Sequence, residues 1–228
     1  MSSLNKKARS GGFSLLELLI AMVITMALMT AATTLLANAL RVRSRENQKS
    51  DALADTQRAL NIMSREIANS GFNLTNNGIV AADSGLNAIR VRSNLNKYDF
   101  DADVDSRDNV MDKAEDITYF INEAENTKYL ARHDRFGNGS TVLANRIDSM
   151  NIHYFAQKVT YTAPPLGSDI TNASAVEVLS KADAKYIVIA VSVTLDAIGV
   201  QGHDGYQPKY SVLLCSDVTL RNTDLWNY

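Results

Sequence analysis

The sequence predicts an α+β protein, with one long N-terminal helix followed by an antiparallel β-sheet domain. Three observations carry that expectation. Phe13 to Leu40 is a run of 28 residues whose only charge is Glu17. Residues 41–69 contain good helix formers and neither proline nor glycine, with apolar residues recurring every seven positions. Beyond Gly71 the apolar period falls from near 3.6 to 2, the signature of half-buried strands.

The N-terminal run comes first. Residues 1–12 are short and polar, with Lys6, Lys7 and Arg9 and no acid. As a helix, Phe13–Leu40 would extend roughly 42 Å at about 1.5 Å per residue, more than the ~30 Å hydrocarbon core of a bilayer. It is too long for the h-region of a secretory signal peptide. A buried core helix would not need so long a run without charge. The basic leader predicts a cytoplasmic N-terminus, although Arg41, Arg43 and Arg45 follow the run on its far side. A plain signal anchor would leave Glu17 unexplained, because a carboxylate inside a span is costly and marks a function.

The helix is expected to continue past the membrane. Leu53, Leu60 and Ile67, with Met63 between them, form one apolar stripe on an otherwise polar segment. This half should therefore lie against a domain. Gly71, after Asn69 and Ser70, is the expected stop.

The strands follow. Ile89 and Val91 alternate with Arg90 and Arg92, and 116–122 continues the pattern. Segments 128–133 and 140–147 are weaker candidates. Met150, Ile152 and Tyr154 share one face of 149–156. Alternate residues from Ile187 to Leu195 share a face of 185–195, as do Val212, Leu214, Val218 and Leu220 in 209–220. A common apolar face on these strands is the natural partner of the helix stripe. Between them, 157–184 reads as a turn-rich surface excursion with a short helix after an Asn172 cap.

Composition narrows the function. Lysine plus arginine number 23 against 25 aspartates and glutamates, and no basic patch follows residue 70. No nucleic-acid partner is expected. The single cysteine, Cys215, excludes an internal disulfide and a cysteine zinc cluster, and reads as a small buried strand residue. His133, His153 and His203 are scattered and read as surface or turn residues. No phosphate loop, nucleophile elbow or zinc-protease motif is present, so an enzyme is not expected.

The stretch "GGFSLLELLIAM" resembles a type IV prepilin signal. The resemblance implies cleavage by a prepilin peptidase between Gly12 and Phe13, followed by N-methylation of Phe13. Glu17 then falls at the fifth mature position, where the family keeps a glutamate. A new α-amino group in the membrane is a cation, and a carboxylate on a neighbouring subunit can pair with it and set axial register. The resemblance thus implies the type IV pilin fold and four segments: a cleaved leader at 1–12, a transmembrane and assembly helix at 13–40, an amphipathic second half at 41–71, and a sheet domain at 72–228.

Two further stretches narrow it. "LADTQRALNIMSREIANSGFN" is similar to the second helix half of PilW-like minor pilins and GspJ-like minor pseudopilins, through Arg65, Glu66, Ser70, Gly71 and Phe72. "SDVTLRNTDLW" resembles their closing strand, with Arg221 and Asn222 near its end. This implies a subunit near a filament tip that helps prime assembly with other minor pilins and the major pilin. It would be held in the inner membrane beforehand, with its C-terminal domain outside the cytoplasm, and would reach the cell-surface pilus afterwards. A secretion-system pseudopilin is the close alternative. A membrane-anchored binding module that never polymerises is the alternative of another class.

One acidic stretch lies apart from assembly. Counting from Asp101, the residues Asp101, Asp103, Asp105, Arg107 (through its carbonyl), Asn109 and Asp112 occupy positions one, three, five, seven, nine and twelve of an EF-hand-like calcium loop. Ser106 replaces the loop glycine, Asp108 replaces an apolar residue, and an aspartate closes the loop where glutamate is usual. Glu115 could close a longer loop. PilW-like sequences resemble this one in carrying an acidic loop here. The plainer alternative is a solvated acidic surface.

Overall fold

The computed structural model describes residues 14–95, 111–124, 127–137, 139–203 and 205–223. Helix α1 spans Leu15–Ala68. Seven strands follow: β1 Ala88–Arg92, β2 Asp116–Ala124, β3 Thr127–Asp134, β4 Gly139–Asn145, β5 Ile147–Phe155, β6 Tyr186–Leu195 and β7 Tyr210–Thr219. The fold is α+β, one long helix with antiparallel sheet, consistent with the type IV pilin fold. The chain divides into two compact units, 1–46 and 47–228.

In the first unit the helix is apolar on nearly every side up to Leu40, Glu17 apart, and Leu16, Leu19, Val23 and Leu36 are among its exposed side chains. By length and composition it can cross a membrane. Its hydroxyls are satisfied within the helix. Thr25 donates to the Ala21 carbonyl at 2.6 Å, and Thr30, Thr33 and Thr34 donate to carbonyls three or four residues earlier. Such back-bonding lets threonine sit in a span without an orphan donor.

The second unit departs from the expected single sheet. Strands β1 to β4 form one antiparallel sheet and β5 to β7 another. The break falls within 140–147, which the sequence presents as one strand. Arg146 adopts φ 61°, in the left-handed region, so the chain leaves β4 at Asn145 and enters β5 at Ile147 in a new direction. Neither glycine nor proline marks the bend, which hides it from a composition-based reading.

One apolar core joins the helix to both sheets. The helix contributes Ala52, Ala59, Leu60, Met63 and Ile67. The first sheet contributes Ile89, Val91, Ile117, Tyr119 and Leu130, and the second Met150, Ile152, Tyr154 and the alternate residues Ile187 to Leu195. The stripe is therefore present, but its upper end is built from Ala52 and Thr56, both buried, while Leu53 is only half-buried. Small residues there allow close approach. A fragment starting near Ser44 should stay soluble and fold, because it keeps these helix residues. One starting at Asn73 should aggregate, since the inner faces of both sheets lose their cover. Light scattering and circular dichroism of the two fragments check this, and equal behaviour would contradict the packing.

The excursion differs from expectation. No α-helix forms after Asn172, which itself has φ 55°. Only a 3-10 turn at Lys181–Asp183 appears. Two backbone donors of the stretch expected to be helical reach distant carbonyls instead: Val178 N–H to the Tyr154 carbonyl and Ser174 N–H to the Thr160 carbonyl, both at 2.9 Å. The segment lies over the outer face of the second sheet. There Val159 and Ile170 join Phe155, Tyr186, Val188, Ala190 and Leu213 in a second buried cluster. Strand β6 is consequently buried on both faces, which explains its nearly unbroken apolar sequence. Cys215 packs partly buried against this cluster, and burial raises its thiol to about 11.

Candidate assembly site

Gly12 and Phe13, the expected cleavage and methylation residues, lie outside the described residues. Glu17 is described, in the first turn of α1. The Ser14 backbone N–H donates to Glu17 Oε2 at 3.4 Å, and the Ser14 carbonyl accepts from Leu18 N–H at 3.1 Å. Ser14-Leu15-Leu16-Glu17 thus has the spacing of a capping box, with Ser14 at the cap and Glu17 at its third helical position. The carboxylate also faces the positive end of the helix dipole. The Ser-x-x-Glu spacing is the sequence signal for this cap, set at the head of the apolar run. The contact leaves most of the carboxylate's acceptor capacity open to a second donor.

Near its other end, beside the Ser64–Ser216 hydroxyl pair at 2.7 Å, three further polar devices among the described residues fasten and close the helix. Glu66 accepts from the Tyr119 hydroxyl and from Arg132 Nε at 3.0 Å, linking the helix to the inner face of β2 and β3. Burial and the Glu66 charge push the Tyr119 hydroxyl well above the tyrosine range, so it stays a donor. The Arg65-Glu66 pair of the sequence therefore splits: Arg65 is exposed and Glu66 is the fastener.

The second device is at the stop. Gly71 has φ 77°, and its N–H donates to the Arg92 carbonyl at 2.9 Å. A Cβ there would meet the Asn76 carbonyl oxygen at 2.6 Å, so only glycine fits. Ser70 Oγ donates to the Asn77 carbonyl. The third device comes from the C-terminal end. Arg221 N–H donates to the Ala68 carbonyl at 3.1 Å, and Asn222 Nδ2 donates to the carbonyls of Asn69 and Ser70 at 3.3 and 3.1 Å. These carbonyls have no partner within a helix, so the segment after β7 closes the helix end. This gives the Arg221-Asn222 pair a physical role.

Of the expected calcium loop, only Asp112 is described; Asp101, Asp103, Asp105, Arg107 and Asn109 lie outside the described residues. Glu115 is buried. Its two oxygens accept from Leu95 N–H at 2.6 Å and Asp112 N–H at 2.9 Å. Asp134 accepts from Ala114, Phe136 and Gly137 N–H groups. Glu115 thus ties together the two chain positions flanking the acidic stretch. Among the described residues, no group of three or more histidine, cysteine or acidic side chains is arranged to hold a metal.

Beside this lies a buried ion-pair network that the alternating pattern of β1 concealed. Arg90, expected on a polar face, is buried. It donates through Nε and Nη2 to the two oxygens of Asp116, at 2.7 and 2.6 Å, and Arg92 Nε adds a bond at 2.9 Å. Burial opposes ionisation of Asp116, but the two guanidinium groups outweigh it and hold its carboxyl below the ordinary 3.8. His153 was also misplaced by sequence reasoning. It sits in β5, mostly buried between two carboxylates.

The prokaryotic N-terminal methylation motif family matches residues 7–33. No curated protein and no solved structure matches the chain. The motif implies processing by a prepilin peptidase and assembly into a filament. The apolar helix fits membrane anchoring before that assembly. The match is to the N-terminal motif alone, residues 7–33, and the α+β fold that follows it is consistent with a type IV pilin-like prepilin.

Proposed function

We propose that the chain is a minor type IV pilin of the PilW kind, a structural subunit placed near the filament tip that helps prime assembly. The peptidase removes residues 1–12 and methylates Phe13. Before assembly the N-terminus faces the cytoplasm and the domain lies outside it. Glu17 then pairs with an amine of a neighbouring subunit and sets register. The observation that carries the minor-subunit reading is the closure of the helix end. Glu66, Gly71, Arg221 and Asn222, the residues through which the sequence resembles PilW-like and GspJ-like subunits, are the ones that fasten it. A GspJ-like pseudopilin shares these residues. Affinity capture of the mature protein from membranes separates the two: minor and major pilins should accompany it, and secretion-system components in their place would overturn the pilus assignment.

The calcium loop is proposed on the donor set alone. Crowded carboxylates at these positions suit a hard cation. Glu115 ties the two flanking positions through the Leu95 and Asp112 N–H groups, and calcium would act on the acidic stretch between them. Millimolar calcium should raise the melting temperature of the full chain, and Asp101→Ala with Asp103→Ala should abolish the shift. An unchanged melting temperature would leave a solvated acidic loop.

A further inference from the structure

Strands β5 and β6 are antiparallel neighbours, paired from Phe155 opposite Tyr186 onward. Two residues suffice to join such strands. Here the connection runs through 156–185, and long connections with little structure of their own are uncommon and usually functional. Its described regular structure is one 3-10 turn and the isolated bridge between Thr162 and Thr171.

The connection crosses the outer face of the whole second sheet. At β5, Asn151 Nδ2 donates to the Ser168 carbonyl at 3.0 Å. At β7, Leu213 N–H donates to the Pro165 carbonyl at 3.2 Å, and the Tyr161 hydroxyl donates to Asp217. Val159 and Ile170 of the connection are buried in the cluster beneath, with Tyr161 and Ala175 partly buried against it, and Ala184 at its end enters the main core. Val176 and Leu179 point away from the protein and are fully or almost fully exposed. So small an apolar anchor leaves the polar contacts to decide whether the strap lies down.

The most concentrated of these is His153. Its Nε2 lies 2.7 Å from Asp169 Oδ1, and its Nδ1 lies 2.7 Å from Glu177 Oε1. Both carboxylates belong to the strap, eight positions apart. Phe155 on the same strand stacks against the ring, and the β6 residue opposite is Val188, which carries no charge. On β7 the ionisable groups of this face are Cys215 and Asp217, the latter accepting from Tyr161 and Tyr186. Two carboxylates can both be satisfied only by an imidazolium, which has two N–H donors. A neutral ring has one and turns a lone pair toward the other carboxylate.

We propose that 156–185 is a strap held over the outer face of the β5–β7 sheet by protonated His153, and that it loosens when that proton is lost. Burial of the ring disfavours the cation, but hydrogen bonds and charge from Glu177 and Asp169 outweigh burial and raise His153 above its ordinary 6.5. With the folded value raised, the stabilisation is complete below about 6.5 and disappears as pH climbs through the higher folded value. The strap is therefore held while the ring is protonated and loosens as pH rises through the raised folded value. Opening uncovers Phe155, Val188 and Leu213, an apolar strip on a domain that the proposed function places outside the cytoplasm, where pH follows the surroundings.

Hydrogen exchange of the full-length protein in detergent tests this, read at pH 6 and pH 9 after correction for the intrinsic pH dependence of exchange. Amides in 159–178 should lose protection several-fold at the higher pH, while those of β1–β4 keep theirs. In His153→Gln, protection of the strap should be lower at pH 6 and should no longer respond to pH. Asp169→Asn, which removes one arm only, should shrink the response. Equal strap protection at the two pH values in the wild type would overturn the proposal, as would a loss shared equally by β1–β4 or a response that survives in His153→Gln.

Discussion

Glu17→Ala should be cleaved normally yet fail to enter filaments. In the first unit the carboxylate has one described contact, the 3.4 Å bond from Ser14 N–H, so its loss leaves the helix essentially intact. Capping contacts of this kind are worth only about 0.5–2 kcal/mol. The assembly partner is different in scale. Once the leader is gone, the α-amino group of Phe13 is a cation in an apolar medium, and removing one member of a buried pair costs about 3–5 kcal/mol. That corresponds to roughly two to four orders of magnitude in the assembly equilibrium. Glu17→Gln separates the two roles, because the amide keeps an oxygen for the Ser14 N–H but carries no charge. Both variants should be mature in membranes and depleted from sheared filaments in immunoblots. Wild-type incorporation of Glu17→Gln would show that the charge does not set register, and wild-type incorporation of both would remove the residue from assembly altogether.

The largest stability loss is expected from Asp116→Ala. The Asp116 side chain is 1% exposed and accepts three hydrogen bonds from Arg90 and Arg92. Its removal strands the buried Arg90 guanidinium, with only the half-exposed Asp83 still paired to it. Stranding a buried charge costs about 3–5 kcal/mol, which for a domain of this size lowers the melting temperature by roughly 6–20 °C. Asp83→Ala, at the exposed arm, should cost no more than about 1 kcal/mol. The sign of the pH dependence follows from the lowered carboxyl of Asp116. Its contribution is complete above the ordinary 3.8 and is lost as pH falls through the lower folded value. Thermal unfolding of the wild type from pH 6 down to pH 2 should show that loss, and Asp116→Ala should flatten this part of the profile.

The parts of the fold that were legible in the sequence are those written in periodicity. The apolar run, the stripe ending at Ile67 and the alternation in β5, β6 and β7 each reflect a repeating geometry, and each appears where expected. What escaped notice depends on single residues meeting across the chain. The left-handed turn at Arg146 divides the sheet without a glycine to announce it. Arg90 sits on what alternation marks as a polar face, and only its meeting with Asp116 reveals that the face is covered. The nearly unbroken apolar sequence of β6 is a readable sign that its second face is also buried, and the excursion supplies that cover. The candidate assembly motif is of another kind. The motif at 12–17 is local, so its spacing survives without any tertiary information, whereas the partners of His153 lie 16 and 24 residues away.

The central claim is that this chain is made as a prepilin and matured at Gly12. Mass spectrometry of the N-terminal peptide from cells with an active prepilin peptidase tests it most directly. The expected peptide begins at Phe13, carries one added methyl group on its α-nitrogen and lacks residues 1–12. Replacing Gly12 with a bulky residue should leave the uncleaved form, because the peptidase must grip the backbone there. An intact Met1 terminus in the wild-type protein, with the peptidase active, would contradict the account.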